Sequence, residues 1–212
     1  MVTDAPGRRK ARYFALLGSL GIQGDPTGSF GDIVSRYGET HRRHHDLAHV
    51  EDCLATLDAM RHLAEDAAAI ELAIWFHDIV YDPLSRTNEQ DSATLFLELM
   101  PPCGLPDRLC RKVADLIFST RHVAAPEGID AALLHDADMA ILGSDATLYD
   151  AYCHRIREEY GMFPDADYRA GRLQFLARTR AQETIFCTDL GRQRFEARAR
   201  RNIEREMDML TA

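Results

Sequence analysis

A nearly continuous apolar run ends at an adjacent histidine and aspartate, His77 and Asp78. The run begins at Ala67, and its length and composition are those of a buried helix, which we place over residues 67–79. An ionisable pair buried at the end of such a helix is costly unless it is hydrogen-bonded or bound to a cation. The run therefore predicts that other parts of the chain supply a partner for His77 and Asp78.

The rest of the chain favours helices throughout. Apolar residues recur at helical spacing, and no segment alternates as a strand would. We therefore predict an all-α fold, a compact multi-helix bundle with a C-terminal helical extension. With 212 residues, 46% of them hydrophobic, the chain is predicted to form a single domain over 1–212, with a core of about 28–145 and the helices of 146–212 packed on it. The predicted helices cover residues 9–21, 30–37, 47–65, 67–79, 87–100, 106–120, 129–142, 146–160, 164–186 and 192–210. Asp46 is the predicted N-cap of the helix over 47–65.

Charge and cysteine content limit the kind of partner. The formal net charge of −9 argues against a nucleic-acid polymer or a membrane surface, which requires a broad basic face. No apolar run reaches transmembrane length. Tyrosines at residues 149, 152 and 160 leave a homo-oligomer open, although core packing is the default interpretation. The cysteines form no Cys-x-x-Cys pair, which favours reduced thiols and a cytoplasmic location; they are Cys53, Cys103, Cys110, Cys153 and Cys187.

Histidines and carboxylates concentrate at three places in the sequence. Each place alone is compatible with ordinary packing, but together they predict a metal site, because helices can bring distant ligands onto one ion. Imidazole and carboxylate groups suit one divalent metal ion, for which Mn, Fe, Co, Ni, Zn and Mg are candidates. Two histidines with two carboxylates leave positions open for water and substrate, which is typical of a hydrolytic site. The three places are His45-x-x-x-His49, His77-Asp78 and His135-Asp136-Ala137-Asp138.

A wider pattern surrounds these three places. It comprises residues 37–54, the octapeptide Trp75 to Asp82, Asn88-Glu89, Thr120-Arg121-His122, residues 136–143, and the C-terminal stretches 156–160 and 199–202. The pattern resembles the HD superfamily of metal-dependent phosphohydrolases, and within it a bacterial branch of predicted hydrolases without a defined substrate. The resemblance implies an HD-type helical domain.

The superfamily order of ligands is a histidine, then His-Asp, then an aspartate. His77 and Asp78 match the central pair directly. The segment before them resembles the Tyr-His-Asn-x-x-His stretch of cyclic nucleotide phosphodiesterases, which implies His49 as the ligand and His45 as the proton donor. This chain departs from that stretch, with His44 for the tyrosine and Asp46 for the asparagine. The last ligand is implied to be Asp138, by likeness to His-x-Ala-Asp-Leu, with Asp136 as the alternative.

The resemblance implies a metal-dependent phosphohydrolase that acts on a small phosphate ester or nucleotide through metal-activated water. Asp82 and Glu89 are further catalytic candidates, although Asp82 can instead cap a turn and Glu89 can complement a helix dipole. The candidates for holding the substrate phosphate are His122, Arg157 and Arg172. A helix C-terminus can instead stabilise the charged form of His122. An ion pair within the protein is the commoner role for each arginine.

Two other kinds of function remain open at this stage. An HD-type di-iron oxygenase shares the His-Asp core but needs extra histidines for a second iron. Only two histidines, His122 and His135, lie between Asp78 and Asp138 in the sequence. A non-catalytic metal-binding or ligand-binding HD module is the second alternative, and the intact set of four ligands argues against it.

Overall fold

The computed structural model describes residues 5–22, 25–101 and 104–212, and every regular element within them is helical. The all-α prediction is therefore confirmed. No helix in the described part of the chain is both long and apolar enough to cross a membrane. The helices are α1 (Ala5–Ser19), α2 (Thr27–Tyr37), α3 (Leu47–Met60), α4 (Ala67–Phe76), α5 (Asn88–Leu99), α6 (Asp107–Ser119), α7 (Gly128–Asp138), α8 (Ala146–Glu159), α9 (Asp165–Arg180), α10 (Asp189–Gly191) and α11 (Ala197–Thr211). Shorter 3₁₀ segments follow α3 and α7, and a π-helical turn, Arg192–Glu196, joins α10 to α11.

Two hydrophobic clusters organise the packing of these helices. The first collects the inward faces of α1 to α7, and α4 lies among α1, α3, α5, α6 and α7. The second begins at Met139 and is built mainly on α8, α9 and α11. Tyr149 and Tyr152 are buried in this second cluster, as the core interpretation predicts. The division of the chain at about residue 145, and the single domain over 1–212, stay predictions.

Helix α4 is buried because nearly all of its side chains are apolar. Every residue from Ala69 to Phe76 is buried, and the Asp66 carboxylate caps the N-terminus by accepting from the Ala69 N–H at 3.0 Å. Glu71 is the polar exception. Its carboxylate pairs with Arg12 at 2.7 Å and with Arg61 at 2.5 Å, which offsets the cost of burying the charge.

The C-terminus of α4 lies three residues before the predicted one, at Phe76. The buried guanidinium of Arg42 satisfies the backbone carbonyls beyond it, donating to Asp78 O at 2.5 Å and to Ile79 O at 3.0 Å. Carbonyls at a helix end need such partners, since no later N–H of the helix reaches them. His77 and Asp78 therefore stand in a braced turn directly after the most buried helix.

Two later helices also end before the predicted residue. Helix α7 ends at Asp138, and the chain continues as a 3₁₀ segment to Gly143. That glycine lies against Phe195, where an added Cβ would come within 2.5 Å of the phenylalanine Cβ. Helix α9 ends at Arg180, and the loop after it is held by side chains of other elements, including a carboxylate of α7. The predicted helices over 129–142 and 164–186 are thus each shorter in the structure. Cys103 lies outside the described residues, and the four described cysteines are free thiols.

Candidate metal centre

Four side chains predicted as metal ligands meet at one point of the molecule. His49 Nε2 lies 3.1 Å from His77 Nε2 and 3.0 Å from Asp138 Oδ1. Asp78 Oδ2 lies 3.1 Å from His77 Nε2 and 3.8 Å from His49 Nε2, and His77 Nε2 is 3.6 Å from Asp138 Oδ1. Both histidines are almost completely buried, and both aspartates are mostly buried. Two nitrogen and two oxygen donors therefore face one another within a few ångströms.

Three helix ends bring these four side chains together. His49 lies in the first turn of α3, whose N-terminus is capped by the Asp46 carboxylate, as the sequence predicts. His77 and Asp78 follow the last residue of α4, and the Asp78 N–H donates to the Tyr37 hydroxyl at 3.1 Å. Asp138 is the last residue of α7. Each ligand is thus held by backbone that the packing of the first cluster fixes.

The donor chemistry of the cluster fits a divalent cation. His77 Nδ1 lies 2.9 Å from the carbonyl oxygen of Ile74, and a carbonyl can only accept. Nδ1 therefore carries a proton, so Nε2 is the ring nitrogen that would bind a metal ion at the cluster. Two imidazole nitrogens with two carboxylates suit first-row divalent ions. A cation held by His49, His77, Asp78 and Asp138 would also resolve the close approach of two ring nitrogens.

Cys53 is a fifth donor near the cluster that the sequence did not single out. It lies one turn after His49 on α3, and its Sγ is 3.7 Å from His49 Nε2. His49, Cys53, His77 and Asp138 all offer donor atoms within 4.8 Å of one another. Burial, together with Asp138 and Asp78, raises the pKa of the Cys53 thiol well above its ordinary value. A single cysteine in an apolar helix carries no sequence signal of this position.

The electrostatics of the cluster favour positive charge at this point. Burial opposes ionisation of Asp78 and Asp138, but the neighbouring histidines outweigh it and hold the pKa of each carboxyl below its ordinary value. Burial likewise opposes protonation of His77, but the two aspartates raise its pKa well above the ordinary value. Two buried carboxylates thus attract positive charge to this point, which a metal ion supplies in place of protons.

The structure distinguishes the two aspartates that the sequence offered as the last metal ligand. Asp138 points into the cluster, whereas Asp136 is fully buried and points from α7 towards the loop before α10. Its carboxylate accepts from the Cys187 N–H at 2.6 Å, and from the Thr188 N–H and hydroxyl at 2.9 and 2.6 Å. Gly191 passes so close that an added Cβ would lie 2.1 Å from Asp136 Oδ2. Asp136 therefore holds the loop that joins α9 to α10.

His122, predicted to hold phosphate, lies behind Asp138. Its Nε2 is 2.8 Å from Asp138 Oδ2, the oxygen that does not face His49. Its Nδ1 is 3.0 Å from His135 Nδ1, and His135 Nε2 lies 2.9 Å from the carbonyl oxygen of Ile185. The backbone of His122 has a φ of 51°, a left-handed conformation that is unusual outside glycine. This chain of contacts fixes the orientation of the Asp138 carboxylate, a common arrangement behind metal ligands.

His45 is paired with a buried carboxylate that the sequence did not identify. Its Nδ1 contacts Glu159 Oε1, and Glu159 Oε2 accepts from the N–H groups of Arg43, His44 and His45 at 2.8, 2.9 and 3.1 Å. Burial opposes charge on both groups, but their mutual contact lowers the pKa of Glu159 and raises the pKa of His45. The structure thus places His45 beside the four-residue cluster, held by α8, rather than within it.

Two of the remaining predicted site residues, Asp82 and Arg157, have structural roles. Asp82 is exposed, and its carboxylate accepts from the Leu84 N–H at 2.9 Å, so it caps the turn. Arg157 donates to the Tyr160 and Phe163 carbonyls and pairs with Asp165 at 2.6 Å. These contacts occupy both residues away from the cluster. The structure therefore brings neither of them to the site.

A cavity of about 490 Å³ opens beside the cluster. His45, His49, Asp78, Glu89 and His122 contribute to its wall, together with Asp138. Aromatic residues of α8, α9 and the segment between them form another part of the wall, and Arg172 lies among them. Three of the four cluster residues, His49, Asp78 and Asp138, thus border a space for a small molecule, and Glu89 and Arg172 also line it.

Arg42 is a third residue that sequence reasoning missed, after Cys53 and Glu159, and a substitution tests its role. Arg42→Met is expected to lower the free energy of unfolding by about 3 kcal/mol, because the carbonyls of His45, Asp78 and Ile79 lose their donor. Urea unfolding of the metal-free protein measures this. Arg43→Met is the matched control, since that side chain is exposed, and it is expected to change the value by less than about 0.5 kcal/mol. Equal effects of the two substitutions would contradict the bracing role.

Comparisons with known proteins identified no relative of this chain. A scan against protein-family models, a search of curated proteins and a search of solved structures each found no match. The fold and the site define the class: an all-α protein with a buried His, Cys and Asp cluster able to hold a metal ion. This arrangement is consistent with an HD-type site.

Proposed function

We propose that the protein is a metal-dependent phosphohydrolase that acts on a small phosphate ester. The observation that carries the proposal is the meeting of His49, His77, Asp78 and Asp138 beside a cavity into which a small molecule fits. Open, mixed nitrogen and oxygen donor sets are typical of hydrolytic metal sites. A divalent cation bound there would act as a Lewis acid that neutralises phosphate charge and lowers the pKa of the attacking water.

His45 is the proton donor in this proposal. It lines the cavity just before the N-terminus of α3, four residues before His49. Its Nδ1 is occupied by Glu159, so Nε2 is the nitrogen that can reach a ligand. In the reaction, a bond forms between the water oxygen and phosphorus while the ester P–O bond breaks. His45 protonates the leaving oxygen and is reprotonated by the proton that water loses. The products are the alcohol and inorganic phosphate.

Two further residues have supporting parts in the proposal. Glu89 lies in the first turn of α5 and lines the cavity, where its carboxylate can accept a proton from the attacking water. His122 holds Asp138 in its orientation through the oxygen that the cluster does not use. Arg172 is already engaged by the protein, so the proposal gives it no direct contact with phosphate.

Metal-depleted protein reconstituted with one divalent metal at a time tests the proposal. We expect Mn, Co, Ni, Zn, Fe or Mg to support release of inorganic phosphate from a panel of phosphomonoesters and phosphodiesters. Asp78→Ala should lose both bound metal and turnover while keeping the helical circular dichroism of the parent. Full metal content in Asp78→Ala would exclude it as a ligand.

The same preparation separates the alternative functions. One metal per chain with no hydrolysis of any phosphate ester would indicate a non-catalytic module. Two irons per chain with oxygen consumption would indicate a di-iron oxygenase. His122 and His135, the histidines available for a second iron, are engaged with Asp138, with each other and with the Ile185 carbonyl. We therefore expect one metal ion per chain.

A further inference from the structure

The cavity beside the metal centre has an aromatic wall that leads away from the ligands. His44 packs on the ligand His49 with ring centroids 4.8 Å apart, and Tyr152 packs on His44 at 4.7 Å. The guanidinium of Arg172 lies over the Tyr152 ring at 5.0 Å and over the Phe175 ring at 5.1 Å. A continuous series of rings and one stacked guanidinium therefore runs from a metal ligand to α9.

A second series of rings also lines the cavity. His45 stacks on Tyr81 with centroids 4.3 Å apart, and the Tyr81 and Tyr160 hydroxyls are 3.5 Å apart. Tyr160 then contacts Phe163 and Tyr168 at centroid distances of 6.0 and 6.4 Å. This series begins at the residue proposed to protonate the leaving group. The leaving group of a substrate would therefore lie along these rings.

The rings at the far end of both series retain solvent exposure. Tyr160, Phe163, Tyr168 and Phe175 are all partly exposed while lining the same cavity. Partly exposed rings in a concave wall gain free energy when a flat or apolar ligand group covers them. The wall therefore favours a ring or an apolar body over a small polyol.

The charges of the cavity limit the substrate to one phosphate. Arg172 is the only lysine or arginine among the described residues of its wall. Its guanidinium is buried and already satisfied, donating to Glu206 at 2.8 and 3.1 Å and to the Tyr152 hydroxyl at 3.1 Å. The carboxylates of Glu89 and Asp167 also line the cavity. The Arg157 guanidinium lies over the wall ring Tyr168 at 4.7 Å, but it is engaged by the Tyr160 and Phe163 carbonyls and by Asp165. A second phosphate away from the metal centre would therefore meet carboxylates and cations that are already paired, which is unfavourable.

We propose that the substrate is a phosphomonoester with a single phosphate and an uncharged leaving group that carries an aromatic or apolar ring. This inference rests on the proposed phosphohydrolase function. The phosphate lies at the cluster of His49, His77, Asp78 and Asp138, and the ring lies against Tyr160, Tyr168 and Phe175. Hydrolysis releases the ring-bearing alcohol, protonated by His45, and inorganic phosphate.

Three matched compounds test the inference with the metal-loaded protein. 2-Phenylethyl phosphate and glycerol 1-phosphate both release a primary alcohol, so their reactivities are similar and the ring is the main difference. 2-Phenylethyl diphosphate keeps the ring and adds a phosphate. We expect kcat/KM for 2-phenylethyl phosphate to exceed that of each of the other two by at least about tenfold, which corresponds to about 1.4 kcal/mol.

Variants of the wall and a matched control locate the preference. Phe175→Ala and Tyr168→Ala should each lower kcat/KM for 2-phenylethyl phosphate about fivefold or more, mainly through KM, with glycerol 1-phosphate changed less than about twofold. The control is Phe118→Ala, because Phe118 is an exposed ring outside this cavity. Phe118→Ala should leave kcat/KM unchanged for both compounds. Two variants are used so that a folding defect in one does not decide the result.

A charge reversal provides a gain of activity. Asp167 is exposed at the cavity wall, so Asp167→Arg adds a cation without emptying the core. We expect it to raise kcat/KM for the diphosphate relative to the monophosphate by about fivefold or more. A preference for glycerol 1-phosphate or for the diphosphate in the parent protein would overturn this inference and leave the phosphohydrolase function standing. No phosphate release from any compound, with metal bound, would overturn the function itself.

Discussion

Asp138→Asn is expected to weaken metal binding by about 100-fold or more, whereas Asp136→Asn is expected to leave the metal bound. The two residues lie two positions apart on α7, so their side chains point to different sides of the helix. Both are carboxylates in a mostly buried environment. Only Asp138 presents an oxygen to His49 and His77, at 3.0 and 3.6 Å. Loss of groups that merely orient a ligand costs about 10- to 100-fold in affinity, so loss of a ligand's charge should cost more.

Asp136→Asn has a different expected effect because its oxygens serve the backbone. The amide group would replace one acceptor with a donor that faces N–H groups of Cys187 and Thr188. A buried donor without a partner costs about 1–3 kcal/mol, and bonds to a charged acceptor lie at the high end. We therefore expect the free energy of unfolding to fall by about 2 kcal/mol, with Tm lower by roughly 4–8 °C.

Two measurements on the same two variants separate these effects. Elemental analysis after dialysis against a metal buffer gives the bound metal, and thermal unfolding of the metal-free proteins gives the stability. The expected pattern is loss of metal with little loss of metal-free stability in Asp138→Asn, and the reverse in Asp136→Asn. The opposite pattern would make Asp136 the ligand and would remove the basis of the site described here.

The sequence anticipated the parts of the site that depend on local pattern. The apolar run before His77 predicts a buried helix, and the polar segment before His49 predicts an N-cap at Asp46, because both follow from neighbours along the chain. The ends of helices were less predictable. Helix α4 ends at Phe76 because Arg42, distant in sequence, satisfies the carbonyls of the following turn.

Residues that act across long sequence separations could not be found in the same way. Glu159 lies among charged residues at the end of α8, where the sequence gives no sign of burial. Its carboxylate is nevertheless buried against three backbone N–H groups and His45. Conversely, Arg157 is drawn to nearby carbonyls and Asp165. Composition cannot distinguish an arginine that pairs within the protein from one that meets a ligand, since both need only a complementary acceptor nearby.

The sequence also left open whether His45 or His49 is the metal ligand, and this choice leads to the second prediction. His45→Asn is expected to lower kcat by about 10²- to 10⁴-fold, the usual contribution of a general acid, with bound metal unchanged. Asparagine suits this test because its amide can still donate to Glu159 and so preserve the buried carboxylate's partner. His49→Asn should instead lose metal, because His49 Nε2 faces His77, Asp78 and Asp138 at 3.0–3.8 Å.

The dependence on the leaving group makes this prediction specific to proton donation. The 4-nitrophenolate ion is a weak base and can leave without being protonated. The alkoxide of 2-phenylethanol is a strong base and needs a proton from a general acid to leave. His45→Asn should therefore lose much less activity with 4-nitrophenyl phosphate than with 2-phenylethyl phosphate, while His49→Asn should lose both in proportion to its bound metal. An equal loss with both compounds in His45→Asn, at full metal content, would show that His45 positions the substrate and that another group supplies the proton. Loss of metal in His45→Asn would instead make His45 a ligand, which its contact with Glu159 on α8 argues against.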